Sequence, residues 1–154
     1  MEHKATEIHD LKLRDEGAGS FSGYASTFGN FDSVKERPVK GAFALHLSSF
    51  LKDGFVALGH SWSALPIATP TIAREDDIGL YVEAEFHTTA EAQAARTVMK
   101  ERAARGKSAR LSIGYEVLAD EYVEEGRLLK EIKLYEFSFV TVPANEQAII
   151  TGVK

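Results

Sequence analysis

The segment 132–140 carries large apolar residues on both of its alternating faces, a pattern typical of a β-strand that is covered on both sides. Glu136 interrupts one of these faces, and Phe137 lies on the other. A carboxylate in such a strand lies in or beside the interior, where burial without a partner is costly. The pattern therefore predicts a partner for Glu136, which is an arginine or lysine, a set of backbone amides, or a histidine whose tautomer the carboxylate fixes. A buried ion pair with a residue such as Arg110 is the ordinary structural alternative.

Composition limits the classes of protein to which the chain can belong. The chain has 154 residues, of which 44% are hydrophobic and 27% charged, so we expect a single domain over residues 1–154 with one core. It has no apolar tract long enough to span a membrane, and the start MEHKATEIHD lacks the apolar region of a signal peptide, which predicts a cytoplasmic protein. The absence of cysteine and of HExxH spacing predicts no disulfide, metal or cofactor. The formal net charge of −5 disfavours nucleic acid as a partner.

Periodicity and turn residues predict a strand-rich α+β domain. An apolar stripe beginning at residue 41 predicts a helix that ends at Gly54, and the capping box at 88–91 begins a second helix. We expect strands at 4–13, 20–28, 55–60, 67–73, 80–86, 108–118 and 128–142, with a polar loop over 29–38 and an acidic, solvated loop over 119–126. The expected architecture is a mainly antiparallel sheet or small barrel with two helices against it.

Ser112 lies in the predicted strand ARLSIGY, where Gly114 shares its face. Two small residues leave room above that face. The room suits a substrate carbonyl beside a nucleophilic hydroxyl, and it also suits the close approach of a helix, which is the commoner reason for small residues in a strand. Because no glycine precedes the serine by two residues, the chain lacks the nucleophile elbow of α/β-hydrolases.

A serine nucleophile needs a base, and His60 is the histidine in an informative position, at the end of the apolar stretch FVALGH. A satisfied, inert histidine is the alternative at such a place. Together His60, Ser112 and Glu136 would supply a base, a nucleophile and an orienting acid. That hypothesis requires Ser112 Oγ within about 3 Å of one imidazole nitrogen and Glu136 accepting a hydrogen bond from the other.

Six blocks follow one another along the chain: GYASTFGNFDS, VKGAF, GHSWSALPIA, REDDIGLYVEAEF, RLSIGYEV and LYEFSFVTVPAN. In this order they resemble the prohead maturation proteases of tailed bacteriophages, a family similar in fold to the herpesvirus assemblins. The resemblance implies a compact β-barrel wrapped by helices, with His60 as general base and Ser112 as nucleophile. Glu136 would be the third member, in the place where assemblins use a second histidine.

The resemblance also implies a serine endopeptidase that cleaves the scaffolding segment of the phage major capsid protein, and itself, inside an assembling prohead in the host bacterial cytoplasm. A homodimer is a further expectation, with neither nucleic acid nor a membrane as partner. The end of the chain at PANEQAIITGVK is interpreted as that of a trimmed or mature form. Trp62 and Phe137 are expected in the core rather than in a substrate cleft. Two other functions stay open: a non-catalytic capsid-assembly or scaffold-binding domain, and a small esterase-like hydrolase.

Overall fold

Eight strands and two helices make up residues 17–154, the part of the chain that the computed structural model describes. The strands are β1 (Ser20–Thr27), β2 (Glu36–Pro38), β3 (Phe55–Leu58), β4 (Ala68–Glu75), β5 (Gly79–Phe86), β6 (Arg110–Val123), β7 (Gly126–Val140) and β8 (Ile150–Val153). The helices are α1 (Leu47–Asp53), which follows a 3₁₀ turn at Ala44–His46, and α2 (Ala90–Ala104). The strand predicted at 4–13 lies outside the described residues.

The sheet is built around β7. β6 pairs with β7 antiparallel over nearly its whole length, while β2 and β3 pair with it in parallel at its two ends. From β3 the order continues through β4, β5 and β1 to β8, all antiparallel. This confirms a compact, mainly antiparallel α+β fold.

The expected barrel wrapped by helices is wrong in two respects. The sheet is open: its strand order runs from β2 to β8, and a single bridge between Arg110 at the start of β6 and Ile149 just before β8 is the isolated contact between those two strands. The helices cover little of the sheet, since α1 has seven residues and α2 has fifteen. Neither of these two helices of residues 17–154 is long and apolar enough to cross a membrane.

Both predicted helices are present, although α1 begins at Leu47 after the 3₁₀ turn and not near residue 41. Phe50 of α1 is buried, and α1 ends at Asp53 with Gly54 as its C-cap, where the sequence predicts the helix to stop. The capping box predicted at 88–91 is off by one residue: the N-cap of α2 is Thr89, whose hydroxyl accepts a hydrogen bond from the N–H of Ala92 at 3.3 Å. The small residues and Met99 on the inner face of α2 join the core that the aromatic residues of the sheet form.

Two predicted loops and one unpredicted strand need correction. The polar loop predicted over 29–38 contains β2, whose Glu36 pairs with Arg127 in the parallel ladder and as an ion pair at 2.7 Å. The acidic segment 119–126 is solvated but largely extended, since the β6–β7 ladder runs on to Val123 and Gly126. Strand β8 was not predicted, because its four residues, paired to a strand far away in the chain, have too short a periodic pattern.

Candidate active site

Three elements bring the predicted site residues to the same end of β7. The antiparallel register places Ser112 opposite Ser138 and Gly114 opposite Glu136. On the other edge of β7, the parallel strand β3 ends opposite Phe139 and leads directly into the turn that carries His60. Residues that are far apart in the chain are therefore neighbours in the sheet.

His60 lies in a tight turn with left-handed backbone geometry. Gly59 and His60 have φ values of 55° and 59°, and the N–H of Ser61 donates to the carbonyl of Leu58 at 3.0 Å. A positive φ is uncommon for a residue with a side chain and marks a backbone that its surroundings hold in place. The turn directs the imidazole back toward β6 and β7.

A continuous hydrogen-bonded chain links the three side chains. The distance from His60 Nε2 to Ser112 Oγ is 2.9 Å, and the distance from His60 Nδ1 to Glu136 Oε1 is 2.5 Å. With Glu136 ionised, Nδ1–H donates to the carboxylate, which leaves the Nε2 lone pair facing the serine hydroxyl. In this tautomer the imidazole can accept the hydroxyl proton, and the carboxylate can stabilise the imidazolium that forms.

The three hydrogen-bonded side chains differ in their exposure to solvent. The side chain of Glu136 is fully buried, whereas that of His60 is 40% exposed. Ser112 is half-buried on the side that solvent reaches. The acid is thus shielded from water while the hydroxyl and the base stay open to an incoming group.

The structural alternatives drawn from the sequence do not hold at these positions. Arg110 donates from Nη1 to the backbone carbonyl of Glu146 at 2.7 Å, while Glu136 is paired with His60. The room above Gly114 is filled by the Glu136 carboxylate and the Trp62 ring, and not by a helix.

No role was predicted for Ser138, and Trp62 does not lie in the core where it was expected. Ser138 Oγ donates to Glu136 Oε2 at 2.7 Å and accepts from the N–H of His60 at 3.0 Å. Ser138 could have been identified from the sequence, because it lies two residues after Glu136 and a strand places such residues on one face. Phe137 is in the core as expected, but Trp62 is 56% exposed and contacts the rings of Phe55 and Tyr135 at centroid distances of 6.4 and 5.9 Å.

A cavity of about 80 Å³ adjoins the serine, with lining residues that include Ser112, Tyr115, Glu36 and Asp32. Burial, together with a hydrogen bond to Glu36 at 2.9 Å, raises the pKa of the Tyr115 hydroxyl above its usual value. Burial also raises the pKa of the Asp32 carboxyl, against the opposing effect of two backbone N–H donors. The site is therefore bordered by a partly desolvated acidic pocket.

Two other features lie apart from these residues. A larger cavity of about 370 Å³ lies between α2 and β8, and His60, Ser112 and Glu136 are not part of its lining. Within residues 17–154 no three His, Cys, Asp or Glu side chains are grouped so as to hold a metal ion.

Comparison with known proteins gives two matches. The family model described as caudovirus prohead serine protease matches residues 6–154. The chain is also similar to the prohead protease of Enterobacteria phage HK97, with 34% identity over 149 residues. That alignment covers 94% of this chain and 65% of the relative, so the chain spans less than two thirds of the relative's length. Both matches confirm the resemblance carried by the six sequence blocks.

Proposed function

The chain belongs to the family of caudovirus prohead serine proteases, and from that membership we propose that it is a serine endopeptidase with Ser112 as nucleophile, His60 as general base and Glu136 as orienting acid. The hydrogen-bonded chain from Ser112 through His60 to Glu136 is the observation that supports the proposal most directly. Its substrate would be the scaffolding segment of the phage major capsid protein, cleaved inside an assembling prohead in the host cytoplasm.

The proposed reaction has two halves. His60 Nε2 takes the proton of Ser112 Oγ while that oxygen attacks the peptide carbonyl carbon, and the imidazolium then gives the proton to the leaving amine as the C–N bond breaks. A water molecule attacks the resulting ester and loses a proton to the same nitrogen. The acid product leaves as the proton returns to Ser112 Oγ, so the enzyme is restored without an added cofactor.

Glu136 suits the third role for an electrostatic reason. The positive charge that develops on His60 lies 2.5 Å from a fully buried carboxylate oxygen, where solvent screens the attraction weakly. The interaction strengthens as the imidazolium forms and so favours the transition state over the resting state.

Intact mass spectrometry with a fluorophosphonate probe tests the nucleophile. We expect one adduct on the wild-type chain and none on Ser112→Ala. His60→Ala and Glu136→Gln should react more slowly by about 10² to 10⁴-fold, because they lose the base or the correct tautomer. An adduct that persists on Ser112→Ala would mean that another residue is the nucleophile.

His46 provides a matched control. It lies in a second histidine–carboxylate pair, with Nε2 2.8 Å from Glu131 Oε2, outside the proposed site. His46→Ala should therefore label at the wild-type rate. A similar loss in His46→Ala and His60→Ala would indicate a general effect of removing a paired histidine.

Co-expression with the capsid protein precursor tests the substrate. Loss of capsid processing with Ser112→Ala, and its retention with His46→Ala, would support the endopeptidase. Unchanged processing with Ser112→Ala would favour a non-catalytic assembly domain. Hydrolysis of small esters without cleavage of any protein would favour an esterase-like enzyme.

A further inference from the structure

We propose that Ser138 is a positioning residue, which holds both Glu136 and the backbone of His60 in the arrangement that activates Ser112. The inference rests on the proposed function. Ser138 is fully buried on β7, two residues beyond Glu136 and on the same face of the strand. It has no direct contact with the reacting atoms in this proposal and acts through the other two residues.

The two hydrogen bonds of Ser138 can run in only one direction. A backbone N–H can only donate, so the Ser138 hydroxyl oxygen is the acceptor for His60 at 3.0 Å. An ionised carboxylate can only accept, so the single hydroxyl proton goes to Glu136 Oε2 at 2.7 Å. One small side chain thereby connects the acid and the base.

The carboxylate is fixed at both oxygens. Glu136 Oε1 faces His60 Nδ1, and Oε2 faces the Ser138 hydroxyl. Without the hydroxyl, Oε2 would be a buried acceptor that has lost its side-chain donor, and the carboxylate could turn away from the imidazole to find another. Ser138 therefore sets the direction in which Oε1 points.

The backbone contact acts on the base independently. His60 is held at a positive φ of 59°, a conformation that a residue with a side chain keeps only when its surroundings require it. The hydrogen bond from its N–H to Ser138 Oγ ties this turn to β7, and the neighbouring N–H of Gly59 donates to the carbonyl of Phe139 at 2.9 Å. Loss of the Ser138 hydroxyl removes one of these two ties.

The test measures Ser138→Ala in two ways. Fluorophosphonate labelling of Ser112 should slow by about tenfold to a hundredfold, as for loss of a hydrogen bond to a charged group. The proton NMR resonance of the Nδ1–H shared by His60 and Glu136 should move upfield or broaden through exchange. Labelling within twofold of the wild type, together with an unmoved resonance, would overturn the proposal.

A buried serine outside the site supplies the matched control. Ser20 on β1 is 7% exposed, and its backbone bonds to Lys154 do not depend on its hydroxyl. Ser20→Ala should label like the wild type and leave the resonance in place. If Ser138→Ala does not fold, as judged by thermal unfolding, Ser138→Cys keeps a side chain of similar size with only a weak donor and is judged by the same two criteria.

The Glu136→Gln background separates positioning from a general packing effect. If Ser138 acts mainly through the carboxylate, Ser138→Ala should cost a smaller factor in labelling there than in the wild type. An equal factor in both backgrounds would contradict action through Glu136. A wild-type chain that does not label at all would refute the proposed function instead, and the resonance would still decide whether Ser138 positions the histidine–carboxylate pair.

Discussion

Replacing Gly114 with alanine should damage the site through a single methyl group. A Cβ at this position would lie 2.4 Å from Glu136 Oε1, 3.0 Å from Glu136 Cδ and 3.0 Å from Trp62 Cζ2. Gly114 is not among the glycines with positive φ, so the backbone itself would accept alanine. The cost therefore comes from the occupied space above the strand and not from strain in the chain.

The expected magnitude follows from two opposing effects. Gly→Ala at a compatible backbone position stabilises by about 0.4–1 kcal/mol through the unfolded state. Overpacking a filled site costs about 1–3 kcal/mol, and here the nearest atom belongs to a carboxylate that His60 and Ser138 already hold. We expect net destabilisation of about 1–2 kcal/mol, or roughly 2–8 °C in Tm for a domain of this size. Displacement of the carboxylate should also slow labelling of Ser112 by about tenfold or more.

Thermal unfolding and fluorophosphonate labelling of Gly114→Ala measure both effects. In a Glu136→Ala background the added methyl enters the space that the carboxylate has left, so the destabilisation should shrink or change sign. A cost that is the same in both backgrounds would assign the clash to Trp62 and refute the account given for Glu136. Unchanged stability and labelling in the single variant would mean that the Glu136 and Trp62 side chains move aside without loss of stability or of Ser112 reactivity.

Asp32→Asn should gain stability relative to the wild type as pH rises, measured by denaturant unfolding from pH 3 to 8. Burial raises the folded-state pKa of Asp32, so the stability that its protonated form contributes is lost as pH rises through that pKa, and the asparagine variant does not show this loss. A fall in the stability of Asp32→Asn relative to the wild type with rising pH would contradict this sign. Tyr115→Phe should destabilise by about 1–3 kcal/mol in the same assay, because it removes a part-buried hydrogen bond to the Glu36 carboxylate. The solvent-exposed Tyr135–Glu116 bond is its control, and Tyr135→Phe should change stability less.

The parts of the fold that were predictable from the sequence are those with a sustained local pattern. Helix α2 has a capping threonine at 89 and a glycine at 106 with φ of 71°, and both signals are local. β2 and β8 were not predictable, since each has three or four residues and is stabilised by pairing with a strand far away in the chain. The open sheet was not predictable either, since it depends on how distant strands pair.

The sequence predicted that Glu136 has a partner, but it did not identify which residue that partner is. A carboxylate in a strand with two apolar faces requires a donor, and the structure places His60 there at 2.5 Å, 76 residues away in the chain. The sequence alone left Arg110 as an equal candidate, and the distinction depends on the register of β6 against β7 and on the turn after β3. The catalytic roles of His60, Ser112 and Glu136 stay predictions that the labelling experiment tests.

The pairing of β7 explains why these side chains meet, and it indicates what to look for in a sequence. Because β3 runs parallel to β7 and β6 runs antiparallel to it, the turn after β3 and the first third of β6 both lie beside the last third of β7. Buried polar side chains there have partners on those two elements or on β7 itself, as Glu136 has in His60 and Ser138. Glu136 and Ser138 are two such residues on one face, and a buried polar pair of this kind requires a hydrogen-bonded network. A half-buried serine such as Ser112 requires no protein partner, because water can reach its hydroxyl. The Glu-x-Ser pattern in a strand with two apolar faces is therefore the stronger indication of a site, and the candidate nucleophile Ser112 is identified by asking which side chains face that pair.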